Sequence, residues 1–229
     1  MDVYAHRVET TLTDDQFQSL TAIAEQRGRS IEDLVREAIV QTYLTDLGLS
    51  QRLAALDRLA SLEVPKEAWP EPLAAPVVTG MSPARERMGI ALIDADVPIH
   101  AVIPESPARV ACAWIIEEIA HGRLTVGMDA SLPTEIIDRL ARVGERAIAH
   151  ELIESLMQII PIQFPVDARD IQLAADLCRM REASQLRSGG CIRLAVMQRH
   201  GLAGVVSMDR AYDAFPDVVR IDPRTLYAH

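Results

Sequence analysis

Gly89-Ile90-Ala91-Leu92-Ile93-Asp94-Ala95-Asp96 is the stretch from which this chain is best read. Four apolar residues in a row run into two acids one residue apart. A short continuous apolar run predicts a strand covered on both faces, as in a parallel sheet, whose carboxyl end carries the acids to the rim. Ligands of open α/β sheets bind along that rim. Taken alone, an Asp after an apolar strand is equally well explained as a turn or cap residue.

Similar apolar runs recur at 124–128, 159–164, 204–207 and 218–221. Helical patterns fill the gaps, at 107–121, 132–140, 145–158, 168–180 and 191–200. Strands alternating with helices predict an α/β domain over 89–229, a parallel sheet flanked by helices.

The totals set bounds on function. The chain has 229 residues, 49% of them hydrophobic but only 4% aromatic, so aliphatic side chains must fill its core. A net charge of -10 excludes a broadly basic nucleic-acid coat. Lys66 is the only lysine, and every other basic side chain is the arginine fork that suits phosphate. Cys112, Cys178 and Cys191 form no CxxC and are expected to be buried free thiols, with no zinc site. No apolar run reaches the ~20 residues of a membrane span and the N-terminal stretch lacks the apolar region of a signal peptide, so a cytoplasmic protein with no membrane partner is expected.

Residues 1–45 have their own pattern. Val8, Thr10 and Leu12 alternate with Arg7, Glu9 and Thr11, which predicts a short strand. Thr13 and Gln16 have the spacing of a capping box. Phe17, Leu20, Ile23 and Ala24 then form an apolar stripe, Gly28 stops that helix, and Ser30 caps the next, which carries Ile31, Leu34, Val35, Ala38 and Ile39. Strand, helix, turn, helix in so few residues cannot bury a core alone, whereas two copies can. With its Gly28-Arg29-Ser30-Ile31 turn and Arg36-Glu37-Ala38-Ile39 run, the segment resembles the ribbon-helix-helix domain of bacterial antitoxins and repressors. That resemblance implies a homodimer whose paired strands enter the major groove of operator DNA, with Arg7, Glu9 and Thr11 toward the bases and the amides after Ser30 toward a phosphate. Acids outnumber bases in this stretch, so a dimerisation module that no longer binds DNA is an equal alternative.

Residues 46–88 read as a connector. Leu49, Leu53, Leu56 and Leu59 share a helical face, and Pro65, Pro70, Pro72 and Pro76 then impose extended backbone around Trp69. An antitoxin tail has this form: a helix for a groove and an extended arm, here anchored by Trp69, laid across a partner as an inhibitor. A plain spacer is the alternative.

Further acids join the opening stretch. Glu135 lies early in a predicted helix (Leu132-Pro133-Thr134-Glu135-Ile136-Ile137). Asp209 ends a strand (Val205-Val206-Ser207-Met208-Asp209), and Leu194-Ala195-Val196-Met197-Gln198-Arg199-His200-Gly201 is a helix closed by glycine. In this order the motifs resemble the PIN domain, the metal-dependent ribonuclease fold of VapC-type toxins, over essentially all of 89–229. The resemblance implies phosphodiester hydrolysis of RNA with Mg²⁺ or Mn²⁺ as cofactor, Asp94, Glu135 and Asp209 being the family's first, second and fourth acids, and Asp94 and Asp209 metal ligands. The third acid of the family falls on Gly190, which supplies no ligand. Asp96 partly replaces the lost charge as a further metal ligand, and Asp213 is a weaker candidate.

Two functions follow from that departure. One is a toxin–antitoxin-type endoribonuclease restrained by its own antitoxin-like segment. The other is a catalytically degenerate PIN protein acting as a nucleic-acid-binding autorepressor or scaffold. His100, His121 and His200 are expected at surface or cap positions, and Trp114 in the core.

Overall fold

The computed structural model describes residues 10–39, 48–65, 90–180 and 185–227. Two helices come first, α1 (Asp14–Arg27) and α2 (Ile31–Ile39). Thr13 and Gln16 close the expected capping box, and Gly28 ends α1 at φ 61°, a left-handed conformation that glycine adopts without strain. Ser30 accepts the Asp33 amide at 3.0 Å and so caps α2. The strand expected before α1 lies mostly outside the described residues, and residues 10–13 are not part of a strand.

The pair docks on the body that follows. Asp33 lies 3.5 Å from His200, and Arg36 sits over the Phe164 ring at 5.9 Å. Phe17, Ile23 and Ile39 of the predicted stripes remain exposed.

Helix α3 (Leu49–Ala60) is the helical part of the connector. Ala55, Leu59, Leu62 and Val64 enter the main core, Arg52 donates to the Ala120 carbonyl at 2.8 Å, and the Val64 amide donates to Val102 at 2.8 Å. The Trp69 arm lies outside the described residues.

The body runs β1 (Ala91–Ile93), α4 (Asp96–Ala101), α5 (Arg109–Ala120), β2 (Val126–Asp129), α6 (Leu132–Arg142), α7 (Arg146–Ile159), β3 (Ile162–Phe164) and α8 (Ala168–Leu177). It continues with α9 (Ser188–His200), β4 (Gly204–Val206), a 3₁₀ turn (Arg210–Ala214), β5 (Val219–Ile221) and α10 (Pro223–Tyr227). The five strands form one parallel sheet in the order β3-β2-β1-β4-β5.

Alternation along the strands explains the layers. Ala91 and Ile93 face the side covered by α3, α5, α6 and α7, while Ile90 and Leu92 face α8 and α9. This is an α/β arrangement, consistent with the PIN-like fold expected from the sequence. The chain leaves β1 toward β2 and β3 and returns on the other side of β1 as β4, so the strand order reverses between β1 and β4. No described helix is long and apolar enough to cross a membrane.

Candidate functional site

At that reversal the carboxyl ends of the strands converge. Asp94 follows β1, Asp129 ends β2, and Ser207, Met208 and Asp209 follow β4. Asp96 opens α4, and Glu135 lies in the first turn of α6. Asp94, Asp96, Glu135 and Asp209 line one open cavity of about 310 Å³, together with His100 and Arg139. Four acids from three separate parts of the sequence thus reach one place.

The centre of this cluster is a cation that the sequence reading passed over. Arg193, on α9, is fully buried. Its Nη1 donates to Asp94 Oδ1 at 2.6 Å and to the Tyr212 hydroxyl at 3.2 Å, its Nε to Asp129 Oδ2 at 3.0 Å, and its Nη2 reaches Glu135 Oε2 at 3.5 Å. Burial opposes the guanidinium charge, but Asp94, Tyr212, Asp129 and Glu135 hold its pKa well above the usual arginine value.

The carboxylates are committed elsewhere too. Asp94 Oδ1 also accepts the Ala95 amide at 2.7 Å, and its Oδ2 accepts the Ser207 hydroxyl at 2.7 Å. Asp129 Oδ1 accepts the amide and hydroxyl of Ser131. Asp209 Oδ1 caps the 3₁₀ turn at Ala211. Asp96 Oδ2 accepts the Met208 amide at 2.8 Å, while its Oδ1 is buried with no hydrogen-bond partner among the described residues. Burial, then the Asp94 charge, push the Asp96 pKa up to about 8, so at neutral pH it is mostly the neutral acid. Burial likewise raises Glu135, with Arg193 pulling the other way.

Glycines shape the wall opposite. A Cβ at Gly189 would collide with Glu135 Oε2, so the Glu135 carboxylate rests against the first turn of α9. At Gly190 a Cβ would meet Leu186 Cδ2 at 3.0 Å and the Tyr212 hydroxyl at 3.3 Å. Gly190 and Arg193 are three residues apart, on one face of α9.

A divalent ion, which the PIN resemblance implies here, is not matched by these donors. The position between Asp94, Asp129 and Glu135 already holds a guanidinium, and no group of three or more acids, histidines or cysteines with metal-holding geometry occurs among the described residues.

Two sequence expectations are corrected. His100 is buried against the cavity with its Nδ1 2.8 Å from the Ser106 hydroxyl, because α4 turns its last residues into the core. Cys178 is exposed, at the end of α8, while Cys112 and Cys191 are buried free thiols. Asp213 turns away from the cavity and pairs with Arg220 at 2.8 Å. Arg7, Glu9 and Trp69 lie outside the described residues, Thr11 is exposed, and the Ser30 hydroxyl is occupied by Asp33. Asp129 and Arg193 were missed although both left a trace. Asp129 repeats the pattern of an acid closing an apolar run, and Arg193 is a charge inside Cys191-Ile192-Arg193-Leu194-Ala195-Val196, where burial demands a partner.

Comparison with known proteins points the same way as the fold. The chain is 22% identical over 130 residues to a VapC ribonuclease of Mycobacterium bovis and, equally, to ribonuclease VapC13 of Mycobacterium tuberculosis. Each match covers 57% of this chain and 98% of the relative, so nearly the whole length of such a ribonuclease aligns within it. This distant similarity supports a PIN domain of the VapC type. No protein-family model matches the chain, and no solved structure matches it significantly.

Proposed function

We propose that this chain is a single-polypeptide relative of toxin–antitoxin pairs whose PIN-type domain binds RNA without cutting it. The observation that carries the reading is the buried Arg193 guanidinium among Asp94, Asp129 and Glu135. Hydrolysis in a pocket of this kind relies on a hard cation that polarises phosphate and acidifies a bound water. A guanidinium pairs with anions but cannot bind water as a metal does, and this one is sealed from solvent. RNA as ligand is supported by the ribonuclease relatives and by exposed Arg187 and Arg210, the first lining the cavity and the second following Asp209.

The antitoxin-like part fits the same reading. Helix α3 lies on α5 and α7 of its own chain, which supports a tail acting in cis with Trp69 beyond it. Exposed Phe17, Ile23 and Ile39 support a homodimer that covers them. The acidic balance of 1–45 argues for dimerisation over operator binding through Arg7, Glu9, Thr11 and Ser30.

A Mg²⁺- or Mn²⁺-dependent endoribonuclease is the second reading. It is favoured by the convergence of Asp94, Glu135 and Asp209, with Asp96, on one cavity. The test incubates the full chain with RNA in Mn²⁺ and measures RNA affinity in EDTA by fluorescence anisotropy. Binding in EDTA without cleavage in Mn²⁺ is expected. Cleavage that disappears in Asp94→Ala would put the second reading first.

A further inference from the structure

We infer that Arg193 is the resident cation of the acid pocket, occupying the position that a divalent ion would need, so that guanidinium and metal exclude each other there. The inference rests on the PIN reading of the pocket and adds what sets its state.

Three carboxylates, two of them lining the pocket and Asp129 buried behind it, accept hydrogen bonds from one group. Arg193 reaches Asp94 through Nη1, Asp129 through Nε and Glu135 through Nη2, three different edges of one planar fork. Such a fork neutralises acids that would otherwise repel one another in a buried place. An ion close enough to bind Asp94 would press against the guanidinium, and the burial of both side chains weakens the screening of that repulsion. Arg193 cannot step aside easily, because its backbone lies mid-helix in α9 with Cys191, Leu194 and Ala195 fully packed around it. It also cannot surrender its proton.

The neighbouring glycine completes the exchange. Gly190, at the place of the family's third acid, sits one turn before Arg193 on the same face of α9. A carboxylate at 190 would enter the pocket past the flexible end of Leu186 and beside the Tyr212 hydroxyl. One helix face has thus lost an acid and carries a base, and both changes remove the demand for an external cation. Undoing them should restore it.

The experiment uses the full chain and reads metal directly. Mn²⁺ binding is measured by electron paramagnetic resonance, and melting temperature is recorded in EDTA and in millimolar Mn²⁺. The wild-type chain is expected to hold no Mn²⁺ and to melt at the same temperature in both buffers. Arg193→Met is expected to lose roughly 10 °C in EDTA, because three buried carboxylates lose their cation. Mn²⁺ should return at least half of that loss, with about one ion bound per chain, and adding Gly190→Asp should tighten binding about tenfold or more. Asp94→Asn should cancel the rescue. Mn²⁺ on the wild-type chain that depends on Asp94 would overturn the inference, as would a folded Arg193→Met that takes none. If Arg193→Met does not fold, Arg193→Gln keeps a donor for Asp129 without the charge and is read the same way. If neither folds, the wild-type measurement decides alone. Loss of RNA binding would break the functional proposal and leave the Mn²⁺ result standing, so the two failures are separate.

Discussion

Helix α9 carries two arginines six residues apart, and they live in different physical worlds. Arg193 is wholly enclosed and its partners are the acids at the carboxyl edge of the sheet, whereas the Arg199 side chain is 28% exposed and clamps Asp170 at 2.7 Å and the Pro165 carbonyl at 2.7 Å. Both are well hydrogen-bonded, so the number of partners does not separate them. Burial does. An enclosed guanidinium fixes the charge of everything around it, while a half-wet one joins two elements and is partly replaced by water when lost.

The strongest way to break this contrast is to remove both charges and compare. Arg193→Met should destabilise the chain in EDTA by about 3–5 kcal/mol in urea unfolding, because its acids are left uncompensated. Arg199→Ala should cost about 1 kcal/mol by the same measurement. Equal losses would mean that the α9 arginines are interchangeable props.

Gly189→Ala should fall between these, at about 1–3 kcal/mol, because its new methyl must displace the Glu135 carboxylate from the first turn of α9. A neutral result in urea unfolding would show that Glu135 has room the geometry does not reveal.

The next effect is one of pH and concerns the other end of α9. Burial opposes the Asp33 charge, but hydrogen bonds from His200 and Ser30 and the charges of His200 and Arg36 hold its pKa below the ordinary carboxylate value. A depressed folded pKa means that the unfolded chain binds more protons between the two values. The stabilisation is therefore complete above about pH 4 and is lost as pH falls through the folded value. Amide protection in α1 and α2, taken relative to the intrinsic exchange rate, should fall as pH drops below about 4 in the wild type, and this fall should be absent in Asp33→Asn. The smallest effect is expected at Arg142, whose pair with Asp138 is exposed on both sides. Arg142→Ala should change stability by about 0.5 kcal/mol or less, measured in the same urea series.

The sheet was legible in the sequence because its strands are short apolar runs that need no partner to be recognised. Ala91–Ile93, Gly204–Val206 and Val219–Ile221 fall inside their predicted spans. The span at 159–164 was read too long at its start, since Ile159 still belongs to α7. Short elements without a full period of pattern went unseen, namely α4, the 3₁₀ turn and α10. Pro98 in α4 reads as a helix breaker, yet it sits in the first turn, where its missing N–H costs nothing.

The acids of the pocket were legible because each follows a strand or opens a helix. Their counter-cation was not, because a 3.6-residue pattern marks Arg193 only as an interruption of an apolar face, and its acid partners come from 58 to 99 residues away. Ser207 was hidden in the same way. Its hydroxyl links Asp94 to the Asp209 amide, a role that exists only once β1 and β4 lie side by side.

Helix α3 has a further consequence. It is part of the same chain as the surface it covers, and is held there by the Arg52 side chain on Ala120 and, just past its end, by the Val64 amide on Val102. Its occupancy of that surface is therefore indifferent to dilution, and no imbalance in synthesis can leave one half without the other.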